Sequence, residues 1–246
     1  MHLEVVIPSH KRAGRLPTLG LLPSAIVCIP ASQAPEYRAA HPEAQLVLHP
    51  DSVVGLQAKR NWMYKHFGNL LMVDDDLTDF RRLYLPAGEP VSIQSEARIL
   101  AIVQETAYAA KQAGAYLFGF NSNQNPTMYK ALNPIQLTGW INGCAQGILA
   151  GSKLWWSTEI KCNCDYWISA LNAYHHRLIW RDNRFTFTQK DTFTGAGGQA
   201  EFRNLEAEAA DFALLKRCFG EAIQQKKDSK LAKRKHEFQK TLKLPF

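Results

Sequence analysis

Residues 69–76 read Asn-Leu-Leu-Met-Val-Asp-Asp-Asp, and this stretch decides the fold. A short unbroken apolar run is the mark of a buried strand, and the switch to three carboxylates places charge where that strand leaves its sheet. Working outward, Leu3–Ile7, Ala25–Ile29 and Gln45–His49 are three more apolar runs, stopped by Pro8, Pro30 and Pro50. Between them, Gln33–His41 reads as a short helix and Leu56–Phe67 as a better one, with Leu56, Met63 and Phe67 on one side. Strands alternating with helices predict an α/β fold with a mostly parallel central sheet flanked by helices. Downstream, Gln94–Ala113 reads as a long helix ended by Gly114, and Ala115–Phe120 as a strand. The pattern then loosens. Asn121–Pro134 is a polar loop, Ile135–Ala150 holds two short strand-like runs, Asp165–His176 is helical, and Arg177–Thr188 has strand character. Thr192–Gly198 reads as a flexible loop, and Glu201–Gln225 as a helix broken at Gly220. A single domain over 1–215 with a basic helical extension over 216–246 follows from this reading.

A chain of 246 residues, 46% hydrophobic and 21% charged, has the composition of a globular protein able to bury a core. No stretch approaches the roughly 20 apolar residues of a spanning helix. Met1–Pro8 lacks the basic and apolar regions of a signal peptide, so a cytoplasmic protein is expected. The five cysteines are an odd number and scattered, which suits reduced thiols. Cys162-Asn163-Cys164, followed by His175 and His176, is spaced more tightly than a structural zinc pair, so buried thiols are the expected reading. The formal charge of +7 is localised: from Lys216 onward ten basic residues face three acidic ones, and the rest of the chain balances. Such a tail is a footprint for polyanions, nucleic acid foremost, and is equally what a solvated helix presents.

Three adjacent carboxylates at the edge of a core repel one another and lose hydration, so they call for a cation or a strong set of donors. Mg²⁺ or Mn²⁺ suits them, taking few protein carboxylates and completing its shell with water and phosphate oxygens. Alternation along extended chain puts Asp74 and Asp76 on one side and Asp75 on the other. The competing reading is a solvated acidic turn capping the segment from Leu77 onward.

Here the residues reach a resemblance. Val5-Val6-Ile7-Pro8-Ser9-His10-Lys11-Arg12 resembles the first strand and loop of GT-A-fold glycosyltransferases. Gly55-Leu56-Gln57-Ala58-Lys59-Arg60-Asn61 is similar to their donor-contacting segment, and Leu70–Asp76 supplies their Asp-x-Asp signature in the same order. Gly139-Trp140-Ile141-Asn142-Gly143-Cys144 and Cys164-Asp165-Tyr166-Trp167 resemble the acceptor side, although the common Glu-Asp is Cys-Asp here, so only Asp165 carries over. Within that fold the chain most resembles the TET-associated glycosyltransferases of bacteriophages, over roughly residues 3 to 200.

The resemblance implies a nucleoside diphosphate sugar donor, most simply a UDP-sugar, bound by Pro8, Ser9, Lys11, Arg12, Lys59, Arg60 and Asp75. It implies Mn²⁺ or Mg²⁺ on Asp74 and Asp76, and Asp165 as catalytic base, the alternative for Asp165 being a helix cap. A late histidine often completes the metal shell in this fold, which puts His175 and His176 in question. The implied acceptor is a hydroxymethylated pyrimidine in DNA, with Trp140, Tyr166 and Trp167 facing an extruded base. Trp155 and Trp156 stack likewise or fill the core. Lys226, Lys227, Lys230, Lys233, Arg234 and Lys235 are the implied phosphate contacts. Asn121–Asn125 is a polar run suited to sugar or base edges, and Gly195–Gly198 a loop to close over the donor that does not match a P-loop. A glycan or protein acceptor, and a non-catalytic nucleic-acid-binding protein on the same fold, are the competing readings.

Overall fold

A computed structural model describes residues 1–86, 88–189, 204–226 and 238–244. The first half alternates as its apolar runs dictate: β1 (Glu4–Pro8), α1 (Pro17–Leu21), β2 (Ile26–Pro30), α2 (Ala34–Ala40), β3 (Leu46–His49), α3 (Leu56–Phe67) and β4 (Leu70–Val73). Then come β5 (Leu77–Arg82), α4 (Glu96–Gln112), β6 (Leu117–Phe120), β7 (Ile135–Gln136), β8 (Ala145–Ile148), α5 (Cys164–His175), β9 (Ile179–Asp182) and β10 (Phe185–Gln189). The chain closes with α6 (Leu205–Phe219), β11 (Ile223–Gln225) and β12 (Lys240–Leu242).

The central sheet has eight strands in the order β3-β2-β1-β4-β8-β6-β9-β7. β3, β2, β1 and β4 run parallel, as do β6 and β9, while β8 and β7 pair antiparallel with their neighbours. This is the mixed, mostly parallel α/β architecture that the alternating pattern predicts.

Every side chain of β4 is buried, because strand alternation sends Leu71 and Val73 to one face and Leu70 and Met72 to the other, and both faces are covered. Val5, Ile7, Phe118 and α4's Ile99 and Val103 fill the first layer; Val6, Ile148, Trp156 and α5's Ile168 fill the second. Gly147 lets this happen: a Cβ there would lie 2.1 Å from the Phe118 ring that crosses β8.

Two features differ from the sequence pattern. β5 pairs antiparallel with β10, setting Leu77 against Gln189 and Phe80 against Phe187. Only Leu77 and Phe80 of β5 are fully buried, a three-residue spacing that hides the strand from a search for alternation. At the C-terminus, β11 and β12 form an antiparallel pair where a helical extension was expected. Ile223 and Lys240 are both buried there, so the described ends of the segment dock onto the domain as short strands, while residues 227–237 lie outside the described residues. Lys227, Lys230, Lys233, Arg234, Lys235 and the Thr192–Gly198 loop lie outside the described residues. Among the described residues no helix is long and apolar enough to cross a membrane.

Candidate active site

The parallel register of β1 on β4 builds the site. Glu4 faces Leu70 and Val6 faces Met72, so the residue leaving β1, Ser9, arrives opposite Asp75. The sheet order reverses between β1 and β4, with β2 and β3 on one side only. The crevice at the carboxyl ends of strands at such a switch point is where open α/β sheets take ligands.

Asp75 points inward. Its Oδ1 accepts from Arg12 Nη1 at 2.6 Å and its Oδ2 from Ser9 Oγ at 2.9 Å. Tyr37, on the buried face of α2, closes the group: its hydroxyl lies 2.8 Å from Ser9 Oγ and accepts from the Arg12 backbone N–H at 3.1 Å. Burial raises the Asp75 pKa, and the Arg12 guanidinium and Ser9 hydroxyl pull it back. Asp75 therefore shapes the Ser9–Arg12 loop. Lys11 in that loop is exposed and takes a left-handed φ of 54°, its backbone N–H bonded to Gln33 Oε1 at 2.9 Å. Pro8 is buried at the end of β1.

Asp74 and Asp76 point the other way, as alternation requires. Asp74 is held through its backbone, its N–H donating to Cys144 O at 2.9 Å and its carbonyl accepting from Thr18 Oγ1 at 2.7 Å. One third of its side chain reaches solvent. Protein encloses the rest, and that burial pushes the carboxyl up to about 7, against the pull of Arg60 and with repulsion from Asp76 and Asp75. Gln189, at the end of β10, decides how the pair is arranged. Its Nε2 donates to Asp74 Oδ2 at 3.1 Å and to Asp76 Oδ1 at 2.8 Å, so two carboxylates converge on one donor. Nothing in the sequence singles out Gln189, which lies more than a hundred residues from the triplet and reaches it only through the β5–β10 ladder.

Lys59 and Arg60 lie behind the triplet, 5% and 1% exposed. The buried face of α3 is Gln57, Lys59, Arg60 and Met63, not the Leu56–Met63–Phe67 side that the apolar pattern picked out. Lys59 Nζ donates to Ser9 O, and burial lowers its pKa to about 8, with Cys28 and Asp75 acting to raise it. Arg60 donates to Cys164 Sγ at 3.1 Å and to Gly143 O at 2.9 Å, and sits 3.7 Å from Asp74 Oδ1. Both cations face the triplet from inside the protein.

Asp165 is half-buried in the first turn of α5, its Oδ1 accepting from the Tyr166 N–H at 2.9 Å. Asn163 holds the N-cap position without a side-chain capping bond, so Asp165 is not the N-cap residue itself, although its carboxylate serves a first-turn N–H. A Cβ on Gly143 would lie 3.5 Å from Asp165 Cβ and 3.8 Å from the Arg60 guanidinium, so Asp165 borders the cleft. The Cys144 thiol, raised by burial and then by Asp74, Asp76 and Asp165, lies among all three carboxylates.

The aromatic residues divide. Trp140 and Tyr166 are half-buried neighbours, 5.8 Å between centroids, next to Asp165. Trp167 is a core residue instead, 6% exposed, its Nε1 donating to Trp155 O and its ring packed on Trp155 and Phe219. Its place in the first turns of α5 turns it away from the cleft and into the layer against α6, so an extruded base cannot stack on it. Trp156 is likewise core, while Trp155 is exposed. Lys226 is exposed at the end of β11, its backbone N–H donating to Gln239 O at 2.8 Å.

Other expectations resolve structurally. His175 and His176 sit at the far end of α5 from Asp165, about 15 Å away by helical rise, and His176 Nε2 accepts from the Lys153 N–H at 3.0 Å, so neither completes a metal shell. Asn121, Asn123 and Asn125 spend their side-chain oxygens on successive backbone turns, each accepting from the N–H two residues on. All five cysteines are free, with Cys162 and Cys164 buried. No cluster of three or more His, Cys, Asp or Glu side chains that could hold a metal occurs among the described residues. A cation here would have two carboxylates and take its remaining ligands from water or phosphate, a Mg²⁺-like habit.

A family model described as TET-Associated Glycosyltransferase matches residues 3–198. The chain belongs to that family. The TET-associated glycosyltransferase match runs from β1 past β10 and so includes Ser9, the acidic triplet, Asp165 and Gln189. No curated protein matches the chain. Among solved structures, S. aureus TarS 1-349 overlays with a TM-score of 0.45 at 10% identity, covering 76% of this chain. The chain spans 59% of that TarS chain, and an overlap this loose adds nothing to the family match.

Proposed function

We propose that this protein transfers a sugar from a nucleoside diphosphate sugar, a UDP-sugar in the simplest case, to the hydroxymethyl group of a modified pyrimidine in DNA. The observation that carries the reading is the convergence of Asp74 and Asp76 on the single donor Gln189 Nε2, in a cleft at the carboxyl end of β4. Oxygens that meet on one amide nitrogen can meet on a divalent cation once the amide swings aside, and burial pushes the Asp74 carboxyl up to about 7 even with Arg60 3.7 Å away.

Asp74 and Asp76 would hold Mn²⁺ or Mg²⁺, which supplies Lewis-acid stabilisation of the departing diphosphate worth several kcal/mol. Lys11, exposed on its left-handed turn, and Arg12, fixed by Asp75, present positive charge at the mouth of the cleft. Lys59 and Arg60 contribute from beneath as fixed countercharges in a low-dielectric setting. In the transfer, the acceptor oxygen bonds to the anomeric carbon, the bond from that carbon to the diphosphate oxygen breaks, and Asp165 takes the hydroxyl proton. A base on the acceptor side with no covalent intermediate implies inversion. Trp140 and Tyr166 form the aromatic wall beside Asp165, suited to a base drawn out of the stack.

The test is direct. The protein is incubated with Mn²⁺, a panel of nucleotide-sugars, and DNA carrying hydroxymethylcytosine or plain cytosine, and the digested nucleosides are weighed. A hexose mass on hydroxymethylcytosine alone supports the reading. No gain with any donor, alongside transfer to glycan or peptide acceptors, replaces the acceptor; DNA binding with no transfer to anything favours a non-catalytic binder.

A further inference from the structure

The N-cap residue of α5 does not cap its own helix. Asn163 occupies the cap position, yet its side chain makes no capping bond to the helix. It turns away, Nδ2 donating to Glu208 Oε2 at 2.9 Å and to Asp211 Oδ2 at 3.0 Å, both on α6. Asp211, 1% exposed, takes over the loop: its Oδ1 accepts from the Lys161 N–H at 2.9 Å, and its Oδ2 from those of Cys162 at 2.7 Å and Asn163 at 2.9 Å. The C-terminal segment completes the arrangement. Lys240 of β12, 3% exposed, places Nζ 3.3 Å from Glu208 Oε2, and its backbone carbonyl accepts from Tyr166 Oη at 2.8 Å. Its ammonium is also within electrostatic reach of Asp211 and Asp165.

A buried ion pair is a poor source of net stability, since desolvation offsets most of its attraction. What such a network does supply is a single allowed geometry. We infer that α6 and the C-terminal strand β12 form a clamp that fixes the first turn of α5, with Asp211 and Lys240 as positioning residues for Asp165. The inference rests on the proposed function only in the role it gives Asp165. It also gives the C-terminal segment a duty apart from DNA: its buried lysine belongs to the acceptor side of the cleft, whatever its surface lysines bind.

The test uses the full chain. Asp211→Asn preserves volume but turns one acceptor oxygen into a donor facing backbone N–H groups. Amide hydrogen exchange over residues 161–168 is expected to quicken by about tenfold while that of β4 is unchanged. Mn²⁺-dependent UDP binding stays within about twofold, and kcat for transfer falls by about tenfold or more at unchanged donor KM. Lys240→Met gives the same split, and Lys240→Arg recovers part of kcat. Where Asp211→Asn fails to fold, Glu208→Gln supplies the same readings. Unchanged exchange over 161–168 overturns the clamp, whether or not the protein turns over. Faster exchange with kcat intact overturns the positioning role, and loss of UDP binding in step with kcat overturns the local effect. If the native protein transfers no sugar at all, the functional reading fails and exchange alone decides the clamp.

Discussion

Lys59 should cost the fold stability at neutral pH, and replacing it by methionine measures how much. A lysine in the unfolded chain titrates at about 10.4, whereas burial lowers Lys59 to about 8 in the native protein. That gap corresponds to about 3 kcal/mol carried by the native state wherever both forms are charged, that is below pH 8. Lys59→Met removes this cost but leaves Ser9 O without its Nζ partner, a loss of about 1 to 2 kcal/mol. The variant is therefore expected to be more stable at pH 7 by about 1 kcal/mol, raising Tm by about 2 to 4 °C for a chain of this size. Between pH 8 and 10.4 the unfolded chain holds a proton that the native one has released, so native stability climbs relative to the variant as pH rises. Urea unfolding of both proteins at pH 7, 8, 9 and 10 reads the difference. A constant difference across that range, or a variant markedly less stable at pH 7, would refute the burial argument. The gain in stability should come with weaker binding of UDP and Mn²⁺, because the lysine holds the Ser9 loop and faces the donor cleft from below.

Gly147→Ala should destabilise by about 3 kcal/mol or more, since the new methyl would meet the fully buried Phe118 ring, and Phe118→Leu in the same chain should recover part of the loss in thermal unfolding. Trp167→Ala should cost about 3 to 5 kcal/mol as a core truncation, whereas Trp140→Ala should leave the fold largely intact and raise the acceptor KM, a contrast that calorimetry and kinetics check together. Replacing Lys227, Lys230, Lys233, Arg234 and Lys235 by glutamine should lower the slope of log K against log salt for duplex DNA binding by up to about 4.5, and an unchanged slope removes the tail from the DNA interface.

The legible part of the fold was the part written in local pattern. β1 to β4 and α3 are apolar runs and a helix with clear stops, and α3 spans Leu56–Phe67 as its pattern predicts. The acidic triplet was readable because charge follows buried strand without transition. What stayed hidden depends on tertiary pairing. β5 buries only Leu77 and Phe80, and its partner β10 is remote in sequence, so neither the ladder nor Gln189's approach to Asp74 and Asp76 has a local signal. Lys59 and Arg60 were expected at the donor from their motif, but their burial was not legible: α3 turns them toward the carboxylates from inside, where opposite charge makes that burial tolerable. Trp167 shares its turn of helix with Asp165 and Tyr166, and only the docking of α6 through Phe219 sends it into the core. The tail's charge suggested a solvent-facing helix, while Lys240 is buried because Glu208 waits for it on α6.

The central claim is that Asp74 and Asp76 hold a divalent cation together with a nucleoside diphosphate. It is tested by titrating Mn²⁺ into the protein with and without UDP and following the electron paramagnetic resonance signal of the free ion. The account predicts a single Mn²⁺ per chain, bound tightly only when UDP is present, and no such binding in Asp74→Asn/Asp76→Asn. Undiminished Mn²⁺ binding in that double variant would contradict it.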